Sequence, residues 1–138
     1  MGGGMGMPSV NIVGMAMAAR RERGLFDPDA PEGKSVFDHF VYCLVGDGCL
    51  QEGVAAEASS LAATQDLGNL IVIYYANRIT IEGDTNIAFT EDVLGRYDAL
   101  GWHTQEVDWT NSGTGYEKDL DALLSAIRAA KEIGRAHV

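Results

Sequence analysis

Two short apolar runs, Val36 to Val45 and Leu70 to Tyr75, each break abruptly into polar, backbone-exposing sequence, Gly46-Asp-Gly48 and Ala76-Asn-Arg78. Continuous runs rich in β-branched and aromatic residues are the pattern of strands buried on both faces. Between them, Gln51 to Asp66 is built of Ala, Glu, Ser and Leu, with Val54, Ala58, Leu61 and Ala62 on one helical face and Gly68 closing the segment. Strand, helix and strand within about forty residues make a βαβ unit, so the two strands are expected to be parallel and the crossover right-handed.

The remaining sequence extends the alternation. Ser9 can cap a helix that carries Val10, Val13 and Met17 at helical spacing and ends in Arg20, Arg21, Arg23 and Gly24. Leu25 to Ser35, with Pro28 and Pro31, is expected to be a surface loop, and Ala76 to Phe89 a structured one. Thr90 then caps a helix with Val93, Leu94, Tyr97 and Leu100 as its apolar stripe and Gly101 as its stop. Trp102 to Val107 reads as a third, shorter strand, and Glu117 to Glu132 as a last helix carrying Leu120, Leu123, Leu124, Ile127 and Ala130. The class is therefore α/β, with a doubly wound parallel sheet that is only partial, since such domains have roughly five or six strands. The heptapeptide Glu132 to Val138 matches one reading frame of a common sequencing adapter. It is expected to be a cloning scar outside a domain spanning residues 1–131, and His137 to have no role.

Composition excludes some functions. Twenty acidic against ten basic residues give a net charge of −10, which repels a phosphate backbone and argues against nucleic-acid binding. No apolar run approaches the roughly 18 residues of a membrane span, and Met1 to Pro8 lacks the pattern of a secretory leader, so no membrane association and a cytoplasmic location are expected. Cys43 and Cys49 read as reduced, buried small residues.

Ligands of open α/β sheets bind at the carboxyl ends of strands. Asp47 and Asn77, thirty positions apart, fall at two such ends and would bring one carboxylate and one amide carbonyl together. Gly46 and Gly48 permit close backbone approach, and the helix beginning near Gln51 would aim free N–H groups at an anion. One carboxylate with one or two carbonyls is too little for a calcium cage. It is the way Mg²⁺ is held when phosphate oxygens and water complete the octahedron, so the spacing suggests a Mg²⁺-diphosphate site. A GDG turn that merely ends a strand, and an Asn that merely shapes a loop, stay open at this level.

Gly46-Asp-Gly-Cys-Leu-Gln-Glu-Gly53, Glu57-Ala-Ser-Ser-Leu-Ala62, Leu67-Gly-Asn-Leu-Ile71, Asn77-Arg-Ile-Thr-Ile-Glu-Gly83 and Tyr97-Asp-Ala-Leu-Gly-Trp102 together resemble transketolases from about Val13 to Lys131. Other thiamine diphosphate enzymes, such as dihydroxyacetone synthases and 1-deoxyxylulose-5-phosphate synthases, share the GDG and the later Asn but less of the flanking sequence. The resemblance implies thiamine diphosphate and Mg²⁺, or another divalent cation such as Ca²⁺ or Mn²⁺. Asp47, the Asn77 side chain and the main-chain carbonyl of Ile79 would be the metal ligands, with Gly46 and Gly48 at the diphosphate and Ile81 by the thiazolium ring. Glu52 and Glu57 would lie near the interface of a homodimer. The implied reaction is transfer of a two-carbon ketol unit from a ketose phosphate to an aldose phosphate in the pentose phosphate pathway.

Two departures accompany the likeness. Family members usually carry acidic residues where Tyr75 and Ala76 stand, and their upstream glycine-rich loop is matched only by Gly3 and Gly6, with Met7 and Pro8 in place of Gln and Gly. The substrate-binding histidines and the glutamate that activates the cofactor have no counterparts here, and His39 and His103 read as packing or surface residues. The resemblance therefore implies a fragment without ketol-transfer activity of its own. The second reading is a non-catalytic half, or assembly subunit, of a split or decayed thiamine diphosphate enzyme.

Overall fold

The computed structural model describes residues 7–80 and 83–138. Helix α1 (Met7–Phe26) leads through a loop to strand β1 (Val41–Gly46), the single turn α2 (Asp47–Leu50), helix α3 (Gly53–Thr64) and strand β2 (Leu70–Tyr75). A small hairpin, β3 (Ile79–Thr80) with β4 (Gly83–Asp84), a 3₁₀ turn over Thr85–Ile87, helix α4 (Val93–Leu100) and helix α5 (Leu120–Glu132) complete the chain.

β1 and β2 pair in parallel from Val41 opposite Leu70 to Gly46 opposite Tyr75, so the two strands end side by side. The core lies where α1 and α3 cover this pair: Val13, Ala16, Val41, Val45, Leu50, Ala58, Ala62, Leu70 and Val72 are all buried. Small residues on α3 let it approach closely, and Ser59 on that helix is buried with its hydroxyl donating to Ala55 O at 2.8 Å. Trp102 closes the far side, edge-on to Tyr97 at 4.9 Å and with its indole N–H donating to Ser59 O at 2.9 Å.

Several expectations need correction. The first strand begins at Val41 instead of Val36, which is 82% exposed. Asp38 ends the apolar run early by drawing the chain into a turn, accepting from Ser35 N–H at 3.1 Å and pairing with Arg23 at 2.9 Å. α1 runs on past Gly24 to Phe26. The helix expected over 51–66 is α3, trimmed at both ends to Gly53–Thr64, and Glu52, with an extended ψ of 127°, sets it apart from the turn α2 that precedes it. Asp92, not Thr90, caps α4, its carboxylate accepting from Gly95 N–H at 2.9 Å. α5 begins at Leu120 behind the cap Asp119.

Trp102 to Val107 does not form a strand; only His103 is bridged, and its partner is His137. The terminal residues, expected outside the fold, lie within it. Ala136, His137 and Val138 are buried, and His137 bridges Ile71 on one side and His103 on the other, both in parallel. They occupy the place of a third strand because the flank of β2 presents unpaired backbone groups that any extended segment can satisfy.

Candidate functional site

Because β1 and β2 are parallel and in register, their tips deliver Asp47 and the Asn77–Ile79 turn to one place. Gly46 is extended (φ −106°, ψ −178°), and Asp47 starts α2 immediately after it. The helix that begins at the site is thus this single turn; α3, expected to point its N–H groups there, starts at Gly53.

Asp47 is the centre of the arrangement and is only 3% exposed. Its Oδ1 accepts from the Tyr74 hydroxyl at 2.6 Å, and its Oδ2 from the Arg78 backbone N–H at 3.0 Å. Arg78 presents that N–H from a left-handed conformation, φ 57°. Burial, the hydrogen bond to Asp47, the charge of that carboxylate and the charge of Glu91 all push the Tyr74 phenol far above its usual range, so the hydroxyl stays protonated and donates. Neither Tyr74 nor Arg78 is evident as a site residue from the sequence. The signal for Tyr74 is the first hydroxyl-bearing residue after the four aliphatic ones of β2, one position before the strand's end; that for Arg78 is absent, since its contribution comes from the backbone.

The other expected residues are placed as follows. Asn77 is exposed on the turn, its Oδ1 accepting from Ile79 N–H at 3.0 Å. Ile79 is 55% exposed at the start of β3. Gly48 lies in α2, partly buried. Ile81 lies outside the described residues, as do Gly3 and Gly6. Glu52 is half-buried at the start of α3, and exposed Glu57 joins Val10, Val13, Met17, Val54 and Leu61 in lining an open groove of about 320 Å³ between α1 and α3. A second groove of about 570 Å³, beside Arg20, Arg21 and Leu67, lies near the start of β2, and none of the expected site residues lines it. Tyr75 is exposed at the tip of β2, and neither it nor Ala76 brings a carboxylate.

From the side of α4, Arg96 pairs with Glu91 at 2.9 Å and reaches the Leu50 carbonyl at 3.4 Å, tying α4 to the end of α2. Among the described residues, no group of three or more His, Cys, Asp or Glu could hold a metal. The donor set still fits a hard cation delivered with an anion. Asp47 has a spare lone pair on each oxygen beyond its one donor, Asn77 supplies an amide oxygen on the adjoining turn, and the space a side chain would fill at Gly46 is open. Mg²⁺ is commonly held this way, with one or two carboxylates and the remaining positions left to phosphate and water.

The known proteins that this chain resembles are transketolases. The family model described as "Transketolase, thiamine diphosphate binding domain" matches residues 1–136. The transketolase of Mycobacterium tuberculosis (strain ATCC 25618 / H37Rv) is 57% identical over 116 residues, 84% of this chain and 17% of that protein. The chloroplastic transketolase of Zea mays is 46% identical over 132 residues, 95% of this chain and 18% of that protein. Among solved structures, transketolase from Leishmania mexicana superposes with a TM-score of 0.83 at 39% identity, covering 98% of this chain and 19% of that one. A Pichia stipitis transketolase in complex with sedoheptulose 7-phosphate gives 0.76 at 41% identity, over 97% of this chain and 18% of that one.

Proposed function

Because this chain belongs to the transketolase family, matching its thiamine diphosphate-binding domain, we propose that the tips of β1 and β2 hold Mg²⁺ and, through it, the diphosphate of thiamine diphosphate. Asp47 would supply the carboxylate ligand, Asn77 its side-chain oxygen and Ile79 its main-chain carbonyl, with Gly46 and Gly48 leaving room for the diphosphate. The observation that carries this reading is the 3.0 Å contact from Arg78 N–H to Asp47, which joins the second strand's exit turn to the first strand's carboxylate.

When bound, thiamine diphosphate supplies an electron sink for carbon–carbon bond cleavage and formation. The part of this chain's residues is to bind and orient. Asp47 sets the anchor point, and α2 and its Arg96 contact keep the Gly46–Leu50 turn in place. None of these groups is placed to move a proton on a sugar. The reaction we propose for the assembled enzyme is ketol transfer between sugar phosphates, in keeping with the sugar-phosphate complex of the Pichia stipitis relative. The α1–α3 groove, with Glu57 on its rim, supports a second subunit as its cover, which would make the working unit a homodimer.

Calorimetric titration of thiamine diphosphate into the chain with saturating Mg²⁺ tests the reading. Binding that requires Mg²⁺ and is lost in Asp47→Asn is expected; binding unaffected by Asp47→Asn would overturn it. The same chain, mixed with a ketose phosphate, an aldose phosphate and the cofactor, is expected to give no turnover. Measurable ketol transfer would overturn that part.

A further inference from the structure

We propose that Tyr74 is a positioning residue for the cation site, its hydroxyl fixing the Asp47 carboxylate in place as an unneutralised charge for the incoming metal. The proposal rests on the reading of Asp47 as a cation ligand. A buried carboxylate is costly unless it is hydrogen-bonded and balanced by positive charge. Here the hydrogen bonds are present, from the Tyr74 hydroxyl at 2.6 Å and Arg78 N–H at 3.0 Å, and both donors are neutral. No ion pair reaches Asp47 among the described residues; Arg78 gives it only the backbone N–H and is itself exposed. The local structure therefore orients the negative charge without cancelling it, and the missing counter-charge is a cation.

Of the two donors, Tyr74 is the one that can hold direction. The Arg78 N–H belongs to a turn residue at a positive φ of 57°, whereas Tyr74 sits in the paired register of β2 opposite Val45. With a Phe at position 74, Oδ1 would have no donor among the described residues and the carboxylate could turn about its χ angles around the single remaining contact. Groups that hydrogen-bond a metal's carboxylate ligands act in this way, and losing one typically weakens metal binding 10- to 100-fold.

The test measures Mn²⁺ binding to the full chain by electron paramagnetic resonance of the free ion, with and without inorganic pyrophosphate, alongside thermal unfolding without metal. Tyr74→Phe is expected to weaken Mn²⁺ binding at least tenfold at temperatures where the variant is fully folded. A purely structural hydroxyl would lower the unfolding temperature and leave the Mn²⁺ dissociation constant unchanged, which overturns the proposal. Asp47→Asn separates the two levels. If it abolishes Mn²⁺ binding while Tyr74→Phe does not weaken it, only the role of Tyr74 falls; if wild type and Asp47→Asn bind alike, or neither binds, the site reading falls and takes Tyr74 with it. Should Tyr74→Phe fail to fold, the wild-type hydroxyl proton is followed by NMR during Mg²⁺ titration. A slowly exchanging signal that persists at saturation supports the proposal, and its disappearance as Mg²⁺ displaces the hydrogen bond overturns it.

Discussion

At the tips of β1 and β2 the chain buries a charge, whereas along the open flank of β2 it buries a neutral ring, and the two solutions are chemically opposite. Asp47 accepts two hydrogen bonds and keeps further lone pairs free for the cation proposed above. His137, 4% exposed, is complete already. Gln105 Nε2 donates to the Ala126 carbonyl at 3.0 Å and stands 2.8 Å from His137 Nε2, which fixes the amide orientation and makes that ring nitrogen an acceptor. His137 then carries its proton on Nδ1, facing His103 Nδ1 at 3.0 Å. Every polar atom of the ring is used and none can take another proton without setting two N–H groups against each other. A site meant for a ligand keeps acceptors in reserve; a structural polar cluster spends them.

The largest test of this contrast removes the flank. Five backbone hydrogen bonds zip residues 136–138 between β2 and the segment after Trp102, from Val72 N–H to His137 O at 2.8 Å, His137 N–H to Leu70 O, His103 N–H to Ala136 O, Val138 N–H to His103 O and Gln105 N–H to Val138 O. At about 1 kcal/mol each, and with Ala136 and Val138 buried, deleting 136–138 should cost about 4–5 kcal/mol in urea unfolding, a large share of a small domain's stability. If the segment were an appendage outside the fold, as its adapter-like sequence suggests, the deletion would change nothing.

This is also where sequence and structure part most clearly. β2 is legible to the residue, because six apolar residues bounded by Gly68-Asn and Ala-Asn admit little else. The stop of α4 at Gly101 is equally plain, since φ of 94° there suits glycine. Asp47 and the Asn77 turn are readable as a pair because parallel register forces strand tips to meet. What stays hidden depends on contacts between distant segments. Val36 and Phe37 have the composition of a strand but are diverted by Asp38 and Arg23, and Trp102 has the composition of a strand start but is taken by Ser59 of α3. Tyr74 is legible as part of a buried strand and illegible as a partner of Asp47, for the hydrogen bond exists only once β1 and β2 have paired and brought the end of one beside the end of the other.

Acid should separate the two regions next. Burial first, then the neighbouring His103, pulls His137 down to about 4 from an ordinary 6.5. The folded state therefore holds fewer protons than the unfolded state between these values, and stability present above pH 6.5 is lost as pH falls toward 4. From pH 7.5 to 5 the loss should be about 2 kcal/mol, read from urea midpoints, and His137→Phe should remove that slope. A slope that survives His137→Phe would place the acid-sensitive group elsewhere.

A smaller effect probes how the flank is anchored. A side-chain carbon at Gly68 would come within 2.5 Å of the Gly134 carbonyl carbon, so the turn before β2 and the end of α5 touch through a glycine. Gly68→Ala should cost about 2 kcal/mol in the full chain by overpacking. In a chain lacking 132–138 the same substitution should cost almost nothing, and an equal cost in both would show that the contact does not form.

The smallest effect distinguishes the regions through their helices. Asp92 caps α4, which holds the tip side through Arg96, and Asp119 caps α5, which holds the flank through Ala126; the carboxylates accept from Gly95 and Ala122 N–H at 2.9 and 2.8 Å. Replacing either by Ala should cost about 1 kcal/mol, since both leave the same kind of helix N-terminus without a cap. Their secondary effects should differ. Loosening α5 frees the Ala126 carbonyl from Gln105, lets the Gln105 amide turn its oxygen toward His137 and so eases protonation of the ring, which makes the acid transition shallower in Asp119→Ala. Asp92→Ala should keep the wild-type slope, because α4 does not touch that network, and equal slopes in the two variants would show that Gln105 does not set the proton on His137.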